Sequence, residues 1–458
     1  MIQLFKDRNF LIFWIGELVS VIGDHISLIA FPWLVLQMTG SPAMTGLVFA
    51  AQGLPRAVLM LAGGAVVDRT SPRAVMLATN WIRCALVMTL AYMIFTDTAG
   101  PAFVFVIALA FGIADAFFYP ASTSIIPSLV KPEQLQAGNA VVHMTAHLAV
   151  ALGPIIAGLV IAGEIGDMSH GAAPVPAADT AGGYQQDRPG LARAFFLDGL
   201  TFAVSGLTLA LIRTRSLKQQ DANGEHDGQE TAETTQTTGS VNKKTSMFRD
   251  VVAVMRHIWA QPPVRLCFIG IMALEFFYQA PIFVGLPALA KERFLDGARI
   301  YGLEIGAWGM GAFIGSLLGG MVRPIPPKWL PRAMFAAFIF SGATLGMVAY
   351  FEAYQVAMIL FFCAGLGDSF VWIQFISWLQ RITPGHMMGR VMSMLMFMAI
   401  GLLPVANMAM GLLFELHVIR TMYGASLAII TICLIAVLHP DARKTVPPLD
   451  SGKATGTA

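Results

Sequence analysis

Six ionisable residues lie inside long apolar stretches of the sequence, where a charge has no bulk water around it. They are Glu17, Asp24, Arg56, Asp115, Glu275 and Asp368. A charged side chain at the centre of a bilayer costs at least about 2.5 kcal/mol, so it normally faces a partner or a water-filled cavity. A carboxylate held in this way can exchange a proton while a substrate occupies the same cavity. We therefore expect these residues to line a substrate cavity or to carry coupling protons.

Two of the carboxylates are the first candidates for proton coupling. Asp24 and Glu17 are seven residues apart in one predicted helix and share a face of it. Glu275 is the third candidate. Arg56 lies at a similar depth to Asp24 in the next helix, where it is either the counter-charge of Asp24 or an anchor for an anionic substrate. A purely structural Asp24–Arg56 pair that holds the two helices together is an open alternative.

The remaining charges within predicted helices have simpler explanations. Asp115 and Asp368 lie mid-span at equivalent positions of an internal repeat, so they either line the cavity or join packed helices. Arg83 lies about one third of the way into its helix. We expect its long side chain to extend toward the membrane edge or to pair near the adjoining loop.

The apolar stretches predict an all-α membrane protein of about twelve transmembrane helices. Of the 458 residues, 56% are hydrophobic and 12% charged, whereas soluble proteins carry roughly 25% charged residues. A bilayer core about 30 Å thick needs roughly 20 apolar residues per helix, and continuous rather than alternating runs favour helices over a barrel. The predicted helices are 10–36, 43–67, 74–95, 102–127, 137–163, 192–212, 264–289, 301–322, 331–351, 355–379, 389–414 and 420–438.

The distribution of Lys and Arg predicts how the chain is oriented. If the N-terminus is cytoplasmic, 21 of the 29 basic residues fall in inside segments and six in outside segments. The excess of basic residues in cytoplasmic loops therefore predicts two cytoplasmic termini, in a bacterial inner membrane. No small-residue cleavage site follows the first apolar segment, so we expect a retained helix and not a signal peptide.

The predicted helices divide into two sets of six. We expect residues 1–212 and 263–440 to form two pseudo-symmetric bundles, and residues 441–458 to form a cytoplasmic tail. The linker at 213–262 is expected to be partly disordered, because much of it has almost no apolar residues to bury. Its last part, near 247–259, has its apolar residues on one face and predicts an interfacial helix. Residues 164–191 are expected to form an outside loop.

An internal repeat relates the two sets of helices. GIADAF at 112–117 matches GLGDSF at 365–370, and Glu17 matches Glu275. The pair Gly63-Gly64 matches Gly319-Gly320. Pro132 in KPEQ matches Pro384 in TPGH, and the offset drifts slowly from 258 to 252 residues along the chain, as a duplication with small loop changes would leave it. Repeats of this kind are a transporter architecture, with the substrate site between the halves near the midplane.

Three segments carry a resemblance to a known family. GAVVDRTSPR at 64–73 resembles the signature loop between helices 2 and 3 of the major facilitator superfamily, although Ser71 and Pro72 depart from it. GPIIAG at 153–158, with Gly153, Pro154 and Gly158, is similar to the helix-5 antiporter motif of exporters in that superfamily. LFKDRNFLIFWIGELVSVIGDHISLIAFPWLVL at 4–36 resembles the branch that holds macrolide-efflux proteins and enterobactin exporters.

The resemblance implies a secondary transporter that works by alternating access and exports hydrophobic or amphipathic small molecules, such as drugs, siderophores or secondary metabolites, in exchange for protons. At the matched loop it implies that Gly64, Asp68, Arg69 and Arg73 form a cytoplasmic charge network that locks the outward-facing state. The simpler alternative for the loop is anchoring by positive charge alone.

Two other functions are kept open by the sequence. One is a lysophospholipid or other solute transporter on the same scaffold, and the other is a membrane sensor or scaffold that transports nothing. The sequence has no nucleotide loop, metal-ligand spacing or disulfide framework. We therefore expect no enzymatic activity, cofactor or metal. The net charge of +2 gives no surface for nucleic acid, and we expect a monomer with a small molecule, protons and the bilayer as partners.

Overall fold

All twelve expected helices are present in the computed structural model, which describes residues 4–131, 134–163, 183–212, 256, 259–383 and 388–443. The helices are α1 (Arg8–Thr39), α2 (Pro42–Arg69), α3 (Pro72–Phe95), α4 (Pro101–Ser124), α5 (Leu135–Ala162), α6 (Gly183–Leu211), α7 (Pro262–Arg293), α8 (Gly297–Met321), α9 (Leu330–Tyr350), α10 (Tyr354–Ile382), α11 (Met388–Met396, continued by Leu403–Leu416) and α12 (Val418–Leu438). The expected linker is outside the described residues except at 256 and 259–262. Most of the interfacial helix near 247–259, and the tail beyond Arg443, also lie outside them.

Eleven of the described helices are long and apolar enough to cross a membrane. The twelfth, α8, has 25 residues, and many of them are glycines that pack against other helices. Helices satisfy their own backbone hydrogen bonds, which is why such a chain can cross lipid. The fold is therefore an all-α membrane protein in two six-helix bundles, α1–α6 and α7–α12.

Local sequence explains where several helices begin. The Ser71 hydroxyl accepts a hydrogen bond from the Ala74 N–H at 3.1 Å, and Pro72 occupies the first turn of α3. A serine cap followed by proline is a common way to start a helix. Ser71 and Pro72, which depart from the family pattern, thus have a structural role. Asp7 and Ser41 cap α1 and α2 in the same way.

The sixth helix begins nine residues earlier than the sequence predicted. We expected a loop up to 191, but α6 starts at Gly183. Its first turns are held by α1, because the Trp33 and Gln37 side chains donate hydrogen bonds to Asp187 at 2.7 and 2.9 Å. These polar contacts stabilise a helical extension that the low hydropathy of the segment concealed.

The repeat in the sequence corresponds to equivalent packing in the two halves. Gly112 of α4 lies directly against the backbone of Gln52 in α2, and Gly365 of α10 lies in the same way against Trp308 in α8. Small residues allow membrane helices to approach this closely. The α2–α4 and α8–α10 pairs are therefore copies of one arrangement.

Among the described residues, the two halves share an apolar core on one side of the membrane but not on the other. We call the side where α1 begins and α12 ends the terminal side, and the opposite side the far side. One apolar core joins the far part of α1, including Trp33 and Leu34, to residues of both halves. A separate core around Phe10 and Phe13, on the terminal side, contains residues of the first half only. The structure is therefore closed on the far side.

Close contact between α5 and α8 contributes to this closure and predicts a measurable effect. Gly302 of α8 lies against the backbone of Pro154 and Gly158, so a side chain there has no room. Overpacking of this kind costs about 1–3 kcal/mol. For the transporter that the sequence predicts, we expect Gly302→Val to reduce the transport rate by roughly tenfold at equal amounts of inserted protein.

The matched control for this substitution lies on the same helix. A Cβ added at Gly320 meets nothing within 4 Å, so Gly320→Val is expected to behave as wild type. Dye efflux from cells, normalised to the protein in the membrane fraction, measures both variants. Equal efflux by the two variants would show that close α5–α8 contact is not needed.

Candidate functional site

A cavity of about 150 Å³ lies mid-membrane at the seam between the two halves. Three of the six predicted site residues line it, namely Asp24 on α1, Arg56 on α2 and Asp115 on α4. The second half contributes residues of α7 and α11, both of which contain π-helical turns next to the seam. Such turns are common at functional sites. The expected cleft between bundles is present, with carboxylates in its wall.

The cluster of charges beside the cavity is centred on Arg83, contrary to expectation. Its side chain is 1% exposed, and Nη1 donates to Asp115 Oδ1 at 3.1 Å and to Asp24 Oδ1 at 3.4 Å. Nη2 donates to the Asn80 side chain. The helix begins at Pro72, so Arg83 is its twelfth residue of 24 and lies mid-membrane. The prediction that Arg83 reaches the membrane edge is wrong for this reason.

Two aromatic rings hold the Arg83 guanidinium in place. Its Cζ lies 3.8 Å from the ring centroid of Phe118 and 4.4 Å from that of Phe202. A planar cation between ring faces is stabilised by the ring quadrupoles, most strongly where water is excluded. Arg83 Nε has no hydrogen-bond partner among the described residues. Arg83 is thus a fixed positive charge that joins α1, α3 and α4.

Arg56 pairs with a different carboxylate from the one expected. Its Nη1 lies 3.8 Å from Asp115 Oδ2, and its Cζ lies 5.5 Å from the Tyr119 ring centroid. Asp24 is paired with Arg83 instead. The sequence could not distinguish these pairings, because both arginines and both carboxylates lie at a similar depth. The side chains of Asp24 and Arg56 are 28% and 30% exposed, so they can meet a ligand.

A third carboxylate, Asp198 on α6, completes what we call the charge cluster: Asp24, Arg56, Arg83, Asp115 and Asp198. Asp198 is 0% exposed and accepts a hydrogen bond from Ser27, which lines the cavity. The cluster contains three carboxylates and two guanidinium groups. One carboxylate therefore lacks a counter-charge when all are ionised, and a buried unpaired charge is costly. The cluster favours one additional cation.

Asp198 was not among the predicted site residues, although the sequence contained a signal for it. An acidic residue inside an apolar helix is a functional candidate by default, and Asp198 is the seventh of 21 residues in the segment that was predicted as the sixth helix. Arg83 was misjudged because it was placed about one third of the way into its helix, whereas it is the twelfth of 24 residues. Contacts among α1, α3 and α6 could not be derived from one sequence.

The other predicted carboxylates lie away from the cavity. Glu17 is buried on α1 and is not part of the cavity lining. Glu275 is buried in a π-helical turn of α7, and its Oε2 has no hydrogen-bond partner within the described part of the chain. Both oxygens of Asp368 lie 2.9 Å from the Ser341 hydroxyl on α9. Their roles in coupling stay predictions.

The two halves carry different side chains at positions that the internal repeat relates. Ser341 follows Arg83 by 258 residues, the same offset that relates Glu275 to Glu17. Asp368 therefore faces serine where its counterpart Asp115 faces arginine. The first half carries a charge cluster, and the second half carries a hydroxyl–carboxyl pair at the equivalent position.

The rest of the cavity wall is apolar and aromatic. Its lining includes Phe49 and Phe111 from the first half and Phe283 and Leu403 from the second. Asn407 of α11 also lines the cavity and is 2% exposed, and its Oδ1 has no hydrogen-bond partner among the residues with defined positions. The cavity therefore offers rings, a negative charge and a free acceptor, which together suit an amphipathic molecule.

The loop motif at 64–73 lies at the terminal side. The Arg73 side chain donates to the carbonyls of Leu209 and Ala210, both at 2.8 Å, and so caps the end of α6. Cations are favourable at this end of a helix. Arg69 is exposed. The surroundings of Gly64 and of the Asp68 side chain are outside what the structure describes, so the expected lock among these four positions stays a prediction.

The helix-5 motif supplies close contacts on both faces of α5. Gly153 lies against His25 and Ile22 of α1. A Cβ at Gly158 would lie 3.0 Å from Arg299 Cα on α8, and the Pro154 carbonyl lies against Gly302. The motif thus joins the two halves through α5, which accounts physically for its small residues.

Two charges of the second half close the far side, and we call them the far-side clamp: Glu415 and Lys291. Glu415 Oε2 accepts from the Ser41 hydroxyl at 2.7 Å and from the Ala43 N–H at 3.1 Å, at the start of α2. Lys291 Nζ donates to the Leu36 carbonyl at 2.9 Å, at the end of α1. An anion at a helix start and a cation at a helix end both complement the helix dipole.

Loss of the clamp is expected to favour opening of the far side. Glu415→Ala removes two hydrogen bonds at a helix start, worth roughly 0.5–2 kcal/mol, which corresponds to an approximately fivefold shift in population. The test is the rate at which a membrane-impermeant maleimide, added from the far side, labels Gln52→Cys in a background without the four native cysteines. Glu352→Ala, another exposed carboxylate of the second half, is the control. Equal labelling rates in both backgrounds would rule out the clamp.

Comparison with known proteins places this geometry in context. A family model described as Major Facilitator Superfamily matches residues 13–406. The chain is 25% identical to the multidrug efflux pump Tap of Mycolicibacterium fortuitum over 456 residues, which covers 96% of this chain and 97% of Tap. It is 20% identical over 360 residues to macrolide efflux protein A of Streptococcus pyogenes, covering 76% and 80%. The xylose transporter XylE from E. coli, solved in an inward open conformation, aligns over 96% of both chains with a TM-score of 0.61 and 15% identity.

Proposed function

This chain belongs to the major facilitator superfamily, and from that premise we propose that it exports cationic amphipathic small molecules in exchange for protons. The family is one of transporters and not of enzymes. Two relatives are by name a multidrug efflux pump and a macrolide efflux protein, which supports export of bulky organic molecules. At 25% and 20% sequence identity, these relatives support a class of substrate but do not identify a single compound.

The observation that carries the proposal is the charge cluster in the wall of the seam cavity. With one carboxylate in excess, the cluster favours one added cation, either a proton or a positively charged substrate. The aromatic wall of Phe49, Phe111 and Phe283 provides the apolar surface that an amphipathic molecule needs. A single excess charge that either cation satisfies is the physical basis of an exchange.

Closure of only one side supports alternating access as the mode of transport. With the far side closed, the cavity receives substrate from the terminal side. We propose that the terminal side faces the cytoplasm of a bacterial inner membrane, because most Lys and Arg lie in segments on that side. Substrate binds beside Asp24, the far side opens, and a proton from outside replaces the released substrate. The protonated protein then changes conformation so that its cavity opens to the cytoplasm again, where the proton is released.

A strain with and without the gene tests this function. We expect deletion to increase sensitivity to ethidium and to the macrolide erythromycin, and to slow ethidium efflux. A protonophore should remove the difference between the strains. Efflux that persists after the proton gradient collapses would contradict proton coupling. Uptake of labelled lysophospholipid by spheroplasts, with unchanged drug sensitivity, would favour the lipid transporter instead.

A further inference from the structure

Asp198 lies behind the cavity wall, where a substrate cannot touch it. Its side chain is 0% exposed, and the residue is absent from the cavity lining. The Ser27 hydroxyl donates to its Oδ2, and the Thr201 hydroxyl lies 3.3 Å from its Oδ1. Gly23 of α1 leaves the space that Asp198 and Thr201 occupy. No described residue forms an ion pair with Asp198 within 4.0 Å.

Ser27 connects this carboxyl group to the cavity. Ser27 follows Asp24 by three residues on α1, and it is one of the residues that line the cavity. Ser27 is thus a lining residue of the cavity whose hydroxyl donates to Asp198 Oδ2. A hydroxyl that accepts from water and donates to a carboxylate is a suitable proton carrier.

The charged groups around Asp198 come from three neighbouring helices. They are Asp24 on α1, Arg83 and the thiol of Cys84 on α3, and Asp115 on α4. Asp24 and Asp115 already pair with Arg83, and Asp115 with Arg56 as well. Asp198 is thus the carboxylate of the cluster that has only neutral hydrogen-bond donors, and an unpaired buried carboxylate is the one most easily neutralised.

We propose that Asp198 holds the coupling proton, and that substrate and proton compete through the shared charge of the cluster without occupying the same place. The proposal rests on the function proposed above. With a proton on Asp198, the two remaining carboxylates balance Arg56 and Arg83. With Asp198 ionised, the cluster has a net charge of −1 and a substrate cation beside Asp24 restores the balance.

Proton transfer through Ser27 conserves atoms and charge. A protonated water in the cavity gives a proton to Ser27 Oγ, and the original hydroxyl hydrogen of Ser27 passes to Asp198 Oδ2. Ser27 ends as a neutral hydroxyl, the cavity keeps a neutral water, and Asp198 has become a neutral carboxylic acid. Rotation of the Ser27 hydroxyl resets the carrier, and the reverse sequence releases the proton.

The first test is the affinity of purified protein for ethidium between pH 6 and pH 8. Wild-type affinity should increase with pH by about tenfold per unit where one proton competes. Asp198→Asn resembles the protonated cluster, so its affinity should be lower and independent of pH. A pH dependence in Asp198→Asn equal to that of wild type would overturn the proposal.

The second test separates the carrier from the proton site. Ser27→Ala keeps Asp198 but removes the hydroxyl, so the pH dependence of affinity should persist while the rate of coupled ethidium transport in proteoliposomes decreases by roughly tenfold or more. Ser20→Ala is the matched control, because Ser20 is a buried serine of the same helix, seven residues away and outside the cavity lining. Equal rates for the two serine variants would contradict the role of Ser27.

The proposed exchange and the assignment of the proton to Asp198 can be tested separately. If wild-type affinity does not change with pH and no protons move with ethidium, the proposed function fails. If wild type shows both effects and Asp198→Asn retains them, the exchange stands and only the assignment of the proton to Asp198 is wrong. Asp198→Glu, which keeps the carboxyl group, should recover part of the pH dependence.

Discussion

Replacing Arg83 with methionine is expected to abolish export. The substitution leaves Asp24 and Asp115 beside each other without the guanidinium that joins them. Removing one partner of a buried ion pair costs about 3–5 kcal/mol, which corresponds to a loss of roughly a hundredfold or more. The measurement is ethidium efflux from cells, normalised to the protein in the membrane fraction.

Lysine at this position should not restore export. A planar guanidinium lies between the rings of Phe118 and Phe202 and donates in several directions, whereas an ammonium is a compact point charge. Arg332→Met is the control, because Arg332 also lies over a ring, that of Trp329, but at the terminal side and away from the cavity. Efflux by Arg83→Met above about a tenth of the wild-type rate would be incompatible with a central role for this pair.

Asp24→Asn is expected to abolish proton-coupled efflux while leaving membrane insertion intact. Asp24 is the most exposed carboxylate of the charge cluster, and it lies in the cavity wall. With asparagine there, two carboxylates balance two guanidinium groups and the cavity no longer attracts a cation. Because a proton or a substrate cation loses its counter-charge, we expect a decrease of roughly a hundredfold, measured by the same efflux assay.

The control for this substitution is Asp97→Asn in the loop after α3. Asp97 is exposed and pairs with Arg188 at 2.9 Å. A hydrogen bond from Gln185, and Arg188 beside it, hold the pKa of Asp97 below its ordinary value, so it is ionised at neutral pH. Exposed pairs contribute little, and Asp97→Asn should export as wild type does. Equal loss in both variants would mean that the Asp24 effect is not specific.

Much of the fold follows from the sequence because lipid leaves the chain few choices. Each long apolar run must be a helix, and the repeat requires two related bundles. Asp24, Arg56 and Asp115 could also be identified from the sequence, because a charged residue in an apolar helix normally faces a partner or a cavity. What it could not supply is rotation about each helix axis. Arg83 lies on the face of α3 that meets Asp24 and Asp115, and no pattern within one helix shows which face meets which neighbour.

Partner choice within the membrane depends on contacts between helices distant in sequence. Arg83 meets Asp24 across 59 residues, and Ser27 meets Asp198 across 171. No local pattern encodes such pairs. The start of α6 was missed for a similar reason, because side chains of α1 stabilise it. The repeat does relate Ser341 to Arg83, by the same offset of 258 residues that relates Glu275 to Glu17. A comparison of equivalent positions in the two halves could therefore have directed attention to Arg83.

Proteoliposomes with an imposed pH gradient test the exchange most directly. Vesicles containing purified protein are prepared with an acidic interior and given external ethidium, a permanent cation that a pH gradient alone does not concentrate. The account predicts that ethidium accumulates against its gradient as protons leave, and that nigericin or Asp24→Asn prevents the accumulation. Ethidium that only equilibrates across the wild-type vesicles, with no protons released, would contradict it.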